Sequence, residues 1–108
     1  MNIYKAFVYM FYAMDAVYDN ISSKTLGNYL SGLNPFLIND EGSADPAENE
    51  KFKKEYIIPF KESTPTSSEV YDFCTTYLSK YAPKAAYDAF KKVEKGKWTS
   101  SFEENENN

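Results

Sequence analysis

Residues 3–21 read IYKAFVYMFYAMDAVYDNI, and the reading of this stretch decides the fold. Ile3, Phe7, Met10, Phe11, Met14, Val17, Tyr18 and Ile21 recur at steps of three and four, the spacing of one helix face. Tyr4, Val8, Tyr12, Ala13 and Ala16 widen that stripe to most of the circumference. A helix apolar nearly all round has to be covered by neighbours on several sides. The expected fold is therefore all-α, a compact bundle of about five helices around a buried N-terminal helix.

The segments that follow supply the neighbours. Ser22 or Ser23 can cap a second helix carrying Leu26, Tyr29, Leu30 and Leu33, with Gly32 and Pro35 as stop signals. Gly27 inside it costs about 1 kcal/mol relative to alanine. Close packing on the first helix accounts for that glycine better than ligand access does. Phe36, Leu37 and Ile38 are too apolar for a free loop and are expected to tuck onto the core. Asp45-Pro46-Ala47-Glu48 predicts a third helix start, with Asp45 as cap, Pro46 at the first helical position and Glu48 reaching back. That helix is expected to carry Phe52, Tyr56 and Ile57 inward and to end at Pro59.

Thr66, three residues ahead of Glu69, is a second capping signal. The helix it opens places Val70, Phe73, Cys74, Tyr77, Leu78 and Tyr81 on one face. Pro83 breaks the chain, a thinner apolar edge follows at Ala86, Ala89, Phe90 and Val93, and Gly96 is a terminator. Trp98 is expected to fold back onto the bundle. The predicted organisation is a single helical domain over residues 1–98 and a flexible acidic tail over 99–108.

Composition narrows the chemistry. The 108 residues include ten Tyr and eight Phe but no His, and every one of the 12 cations is Lys. Without imidazole, neither a Cys–His nor a Ser–His nucleophile can be assembled. Without guanidinium, planar clamps on phosphate or carboxylate are missing. The net charge of −4 opposes nucleic acid, whose binding rests on basic contacts. The charge is uneven: residues 1–50 hold two Lys against seven acids, residues 51–108 ten Lys against nine.

Cys74 is the one cysteine and sits among apolar residues, so it reads as a small buried hydrophobe. The uncharged run Ala6–Met14 is too short for a membrane span, which needs about 20 residues. A cytoplasmic protein is the expectation, with no membrane contact.

The densest charge is the acid set Asp40, Glu41, Asp45, Glu48 and Glu50. An EF-hand calcium loop needs an acid five positions before its glycine, and Leu37 stands there before Gly42. No metal or other cofactor is expected. A catalytic carboxylate pair would require a cleft and a raised pKa that spacing alone does not supply.

The stretch Leu26-Gly27-Asn28-Tyr29-Leu30-Ser31-Gly32-Leu33-Asn34-Pro35-Phe36-Leu37, followed by Gly42-Ser43-Ala44-Asp45-Pro46-Ala47, resembles small acidic helical proteins of bacteria, among them immunity proteins of toxin systems. The resemblance implies a protein that blocks a toxin by direct binding. The expected function is a non-catalytic protein-binding module meeting a cationic partner, such as a toxin domain. In that reading Asp40, Glu41, Asp45, Glu48 and Glu50 steer encounter, and Tyr29, Phe36 and Tyr56 are the anchors. The alternative is a structural domain that associates with itself as a homodimer.

Overall fold

In a computed structural model, residues 3–21, 23–33, 46–61 and 65–106 are described. They form α1 (Ile3–Ile21), α2 (Lys24–Leu33), α3 (Pro46–Phe60), α4 (Ser67–Tyr81), α5 (Lys84–Lys92) and α6 (Lys95–Glu106). The all-helical reading holds, with six helices among the described residues where about five were expected. The segment carrying Phe36, Leu37 and Ile38, and the cap at Asp45, lie outside those residues.

α1 buries Ala6, Phe7, Met10, Phe11, Ala13 and Met14. It packs against α2, α3 and α5. Its apolar girth is incompletely covered, since Tyr12 remains 44% exposed beside exposed Asp15 and Ala16. α5 shares the central place: this nine-residue helix touches α1, α2 and α4. Its thin apolar edge of Ala86, Ala89 and Phe90 suffices because all three are fully buried and the alanines let neighbouring backbones come close.

The local signals set the helix starts. The Ser23 Oγ accepts from the Leu26 N–H at 3.2 Å, which makes Ser23 the cap of α2. Thr66 and Glu69 form the full reciprocal box: the Glu69 N–H donates to Thr66 Oγ1 at 3.1 Å, and the Thr66 N–H donates to Glu69 Oε1 at 3.0 Å. Pro83 caps α5 through its carbonyl, which accepts from Ala86 and Tyr87 at 2.9 and 3.2 Å. α3 begins at Pro46 as expected and runs one residue past Pro59, to Phe60.

The expected stop at Gly96 falls instead inside α6. The break comes at Val93, whose extended backbone (φ −84°, ψ 114°) ends α5. A buried tyrosine fixes that corner: the Tyr71 hydroxyl donates to the Val93 carbonyl at 2.9 Å. Trp98 then lies one turn into α6, 5% exposed, and its Nε1–H donates to the Tyr9 carbonyl on α1 at 3.1 Å. Lys95 adds contacts to both carboxylate oxygens of Asp72 on α4 at 2.9 and 3.0 Å. Helix therefore continues through Glu106, well past the boundary expected at residue 98.

Gly27 answers to packing. A Cβ there would stand 2.7 Å from the Tyr18 hydroxyl oxygen and 3.1 Å from two of its ring carbons. The missing side chain is what admits the α1 tyrosine against α2.

Candidate functional site

Helices α3 and α4 are joined by an aromatic seam. Phe52, at the centre of it, meets Phe73 edge-on at 5.5 Å and Tyr77 at 5.2 Å between ring centroids. Tyr56 meets Phe73 at 5.3 Å and Phe60 at 4.9 Å. Such edge-to-face pairs each contribute about 0.5–1.5 kcal/mol beyond the area they bury. At one end the seam turns polar. The Tyr81 hydroxyl donates to Glu55 Oε1 at 2.8 Å, and the Lys51 ammonium lies 5.5 Å from the Tyr81 ring centre while pairing with Glu48 Oε1 at 3.5 Å.

The residues singled out from sequence fare differently. Tyr56 is 6% exposed and belongs to the seam, so it is a core ring and no surface anchor. Tyr29 is half-buried against the core, with its hydroxyl enclosed. Glu48 is half-buried and held by Lys51, whereas Glu50 is exposed and 3.8 Å from Lys53. Two of the five acids are thus locally paired with lysine, which weakens their pull on a distant cation. Phe36, Asp40, Glu41 and Asp45 lie outside the described residues.

Burial sets the protonation of the interior groups. It pushes the Tyr56 phenol up to about 12, with the neighbouring Cys74 adding to the rise. It raises Tyr29, helped by Tyr77 and Glu48, and it raises Tyr77, helped first by Glu48. The Cys74 thiol is fully buried and raised for that reason alone, so the thiolate needed for nucleophilic attack is suppressed. Among the described residues no group of three or more His, Cys, Asp or Glu is placed to hold a metal ion. Among them, too, no helix is long and apolar enough to cross a membrane.

The outer side of the seam is a surface that the sequence reading missed. Ile57, expected inward, is 55% exposed, and Ile58 is 72% exposed. Helical geometry gives the reason: with Phe52 and Tyr56 four residues apart facing the core, the next two positions turn 100° and 200° away, figures that follow from about 3.6 residues per turn. Two adjoining hollows of about 200 and 390 Å³ run along this side. Ile58, Pro59, Phe60, Phe73 and Thr76 line them, with Glu55, Glu69, Asp72 and Lys80 at the rim. The signal was legible in principle, since a core face set by Phe52 and Tyr56 leaves Ile58, about 200° from Tyr56, on the opposite side of the helix.

Fold and surface together define an all-α protein with an open apolar groove between α3 and α4 and charged residues along its edges. Comparison with known protein families, characterised proteins and solved structures returns no match.

Proposed function

We propose that this chain is a non-catalytic protein-binding module that docks its partner through the outer face of α3 and α4. The observation that carries the reading is Ile58, 72% exposed next to an open groove walled by Pro59, Phe60 and Phe73. An apolar centre rimmed by charge is the anatomy of a docking surface, where the centre supplies affinity and the rim supplies register. Burial also holds the Cys74 thiol protonated, which sets it aside as a nucleophile.

An immunity protein is one role such a module fills, and a cationic toxin domain is a partner whose charge suits a chain of net charge −4. The test compares wild type with Ile58→Asp, an exposed substitution that leaves the core intact. Both are immobilised and exposed to extract from the native cell, and any retained protein is purified and titrated by calorimetry. Binding that Ile58→Asp weakens about tenfold or more supports the assignment. Equal affinity for both forms refutes it, as does turnover of any substrate by the purified chain.

A further inference from the structure

We propose that Tyr29, Glu48 and Tyr77 together bind a water molecule where α2, α3 and α4 meet, and that this water fixes the Tyr77 ring as a wall of the groove between α3 and α4. The site does not depend on what the groove docks.

The observation is a set of enclosed oxygens, one from each helix. The Tyr29 hydroxyl, Glu48 Oε2 and the Tyr77 hydroxyl are all shut off from solvent, and among the described residues none of them has a hydrogen-bond partner. Tyr77 as a whole is 2% exposed. Enclosed polar atoms are seldom left unpaired, because each then loses its hydration without compensation. The Tyr56 hydroxyl is enclosed likewise, but it answers electrostatically to Cys74 and to none of these three groups.

The fold brings the three together. Glu48, Phe52 and Tyr56 follow one another at four-residue steps on α3, which puts Glu48 on the face that the two buried rings turn inward. Phe52 meets the Tyr77 ring at 5.2 Å. Lys51 draws the Glu48 carboxylate toward α4: it pairs with Glu48 Oε1 at 3.5 Å and lies 5.5 Å from the ring centre of Tyr81, which is itself 5.2 Å from the Tyr77 ring. Tyr29 comes in from α2, which packs against α3. The electrostatics agree, since after burial the Tyr29 phenol is raised by Tyr77 and Glu48, and the Tyr77 phenol by Glu48.

The count of donors and acceptors names the occupant. Each phenol offers an O–H, and the carboxylate oxygen offers lone pairs only. The occupant has to accept two hydrogen bonds and donate at least one, which water does, and about three bonds is the usual number for a buried water. A metal cation would take the oxygens and leave both O–H groups without an acceptor, and Lys51 already balances the carboxylate. The consequence reaches the surface through Tyr77. Its ring lines the hollow of about 200 Å³ together with Ile58 and Thr76, while its hydroxyl is enclosed. Tyr29 lines neither hollow of the groove, so it reaches that surface only through the shared water.

A crystal structure and conservative variants test the site. Electron density should show a water within about 2.5–3.0 Å of all three oxygens. In urea titrations Tyr29→Phe and Tyr77→Phe should each lower the folding constant about fivefold, and the double variant should lose less than the product of the two. Amide NMR spectra of Tyr29→Phe should also show shifts at Thr76 and Tyr77. A folding constant that rises in either single variant overturns the site, because a hydroxyl without a partner is better removed. Density that shows the phenols bonded directly to Glu48 overturns it as well, as does a peak that strengthens on soaking in rubidium chloride, which makes the occupant a cation. Unmoved Thr76 and Tyr77 amides in Tyr29→Phe overturn the link to the groove.

Discussion

Replacing Trp98 by alanine should remove the clasp that holds α6 to the rest of the bundle. The indole is 5% exposed and stands edge-on to Tyr71 at 5.7 Å and to Phe90 at 6.1 Å. Its N–H bond to the Tyr9 carbonyl spans 89 positions of sequence. A buried Trp→Ala change costs about 3–5 kcal/mol in transfer and cavity terms, and the hydrogen bond adds about 1 kcal/mol. Against a total stability of roughly 5–15 kcal/mol for a domain, that is a large fraction. Trp98→Phe keeps most of the ring area and should lose about 1–2 kcal/mol. Urea unfolding followed by far-UV circular dichroism measures both, and avoids fluorescence, which would vanish with the sole tryptophan. A chain ending at Glu94 should lose at least as much as Trp98→Ala. Equal midpoints for the full and shortened chains would refute the docking of α6.

Other outcomes follow from the same contacts. Thr66→Ala should cost about 1 kcal/mol, because the Glu69 N–H at the start of α4 loses its acceptor; thermal melts check this. Cys74, fully buried with its thiol pKa raised, should resist alkylation at pH 8 or so in native buffer and react within minutes in denaturant, a comparison that mass spectrometry reads directly. Phe52→Ala, at the middle of the seam, should cost about 3–5 kcal/mol by urea unfolding. Stability should also fall at alkaline pH. Tyr29, Tyr56 and Tyr77 titrate higher folded than unfolded, so their contribution is complete below about pH 10 and is lost as pH rises toward about 12. Each accounts for about 1 kcal/mol between about pH 10 and 11 before solvent screening, giving roughly 2 kcal/mol for the three, which urea midpoints at the two pH values measure.

The fold was legible wherever a local signal acted alone. The periodicity of residues 3–21, the Thr66–Glu69 box and the proline at position 46 each specify their element without help from distant chain. The end of α5 was not legible, because Gly96 is the better terminator by composition. The break at Val93 is held by a hydroxyl 22 positions away, on Tyr71. No window of sequence contains that contact.

The α3–α4 face was less legible for a related reason. Attention to charge density favoured Asp40–Glu50, while the exposed apolar pair Ile57–Ile58 is visible only once Phe52 and Tyr56 are fixed as the inward face of α3. Tyr56 shows the complementary difficulty: a tyrosine suits an interface and a core equally, and its burial against Phe60 and Phe73 cannot be read from its own position in the sequence.

The most direct check of a docking face on α3 and α4 is a series of two-dimensional amide NMR spectra in which the protein retained by the immobilised chain is titrated in. Shifts should concentrate at Ile57, Ile58, Phe73, Thr76 and Lys80 and leave the exposed side of α1, at Tyr12, Asp15 and Ala16, unmoved. Shifts that gather on α1 and spare Ile58, Phe73 and Thr76 would contradict the assignment.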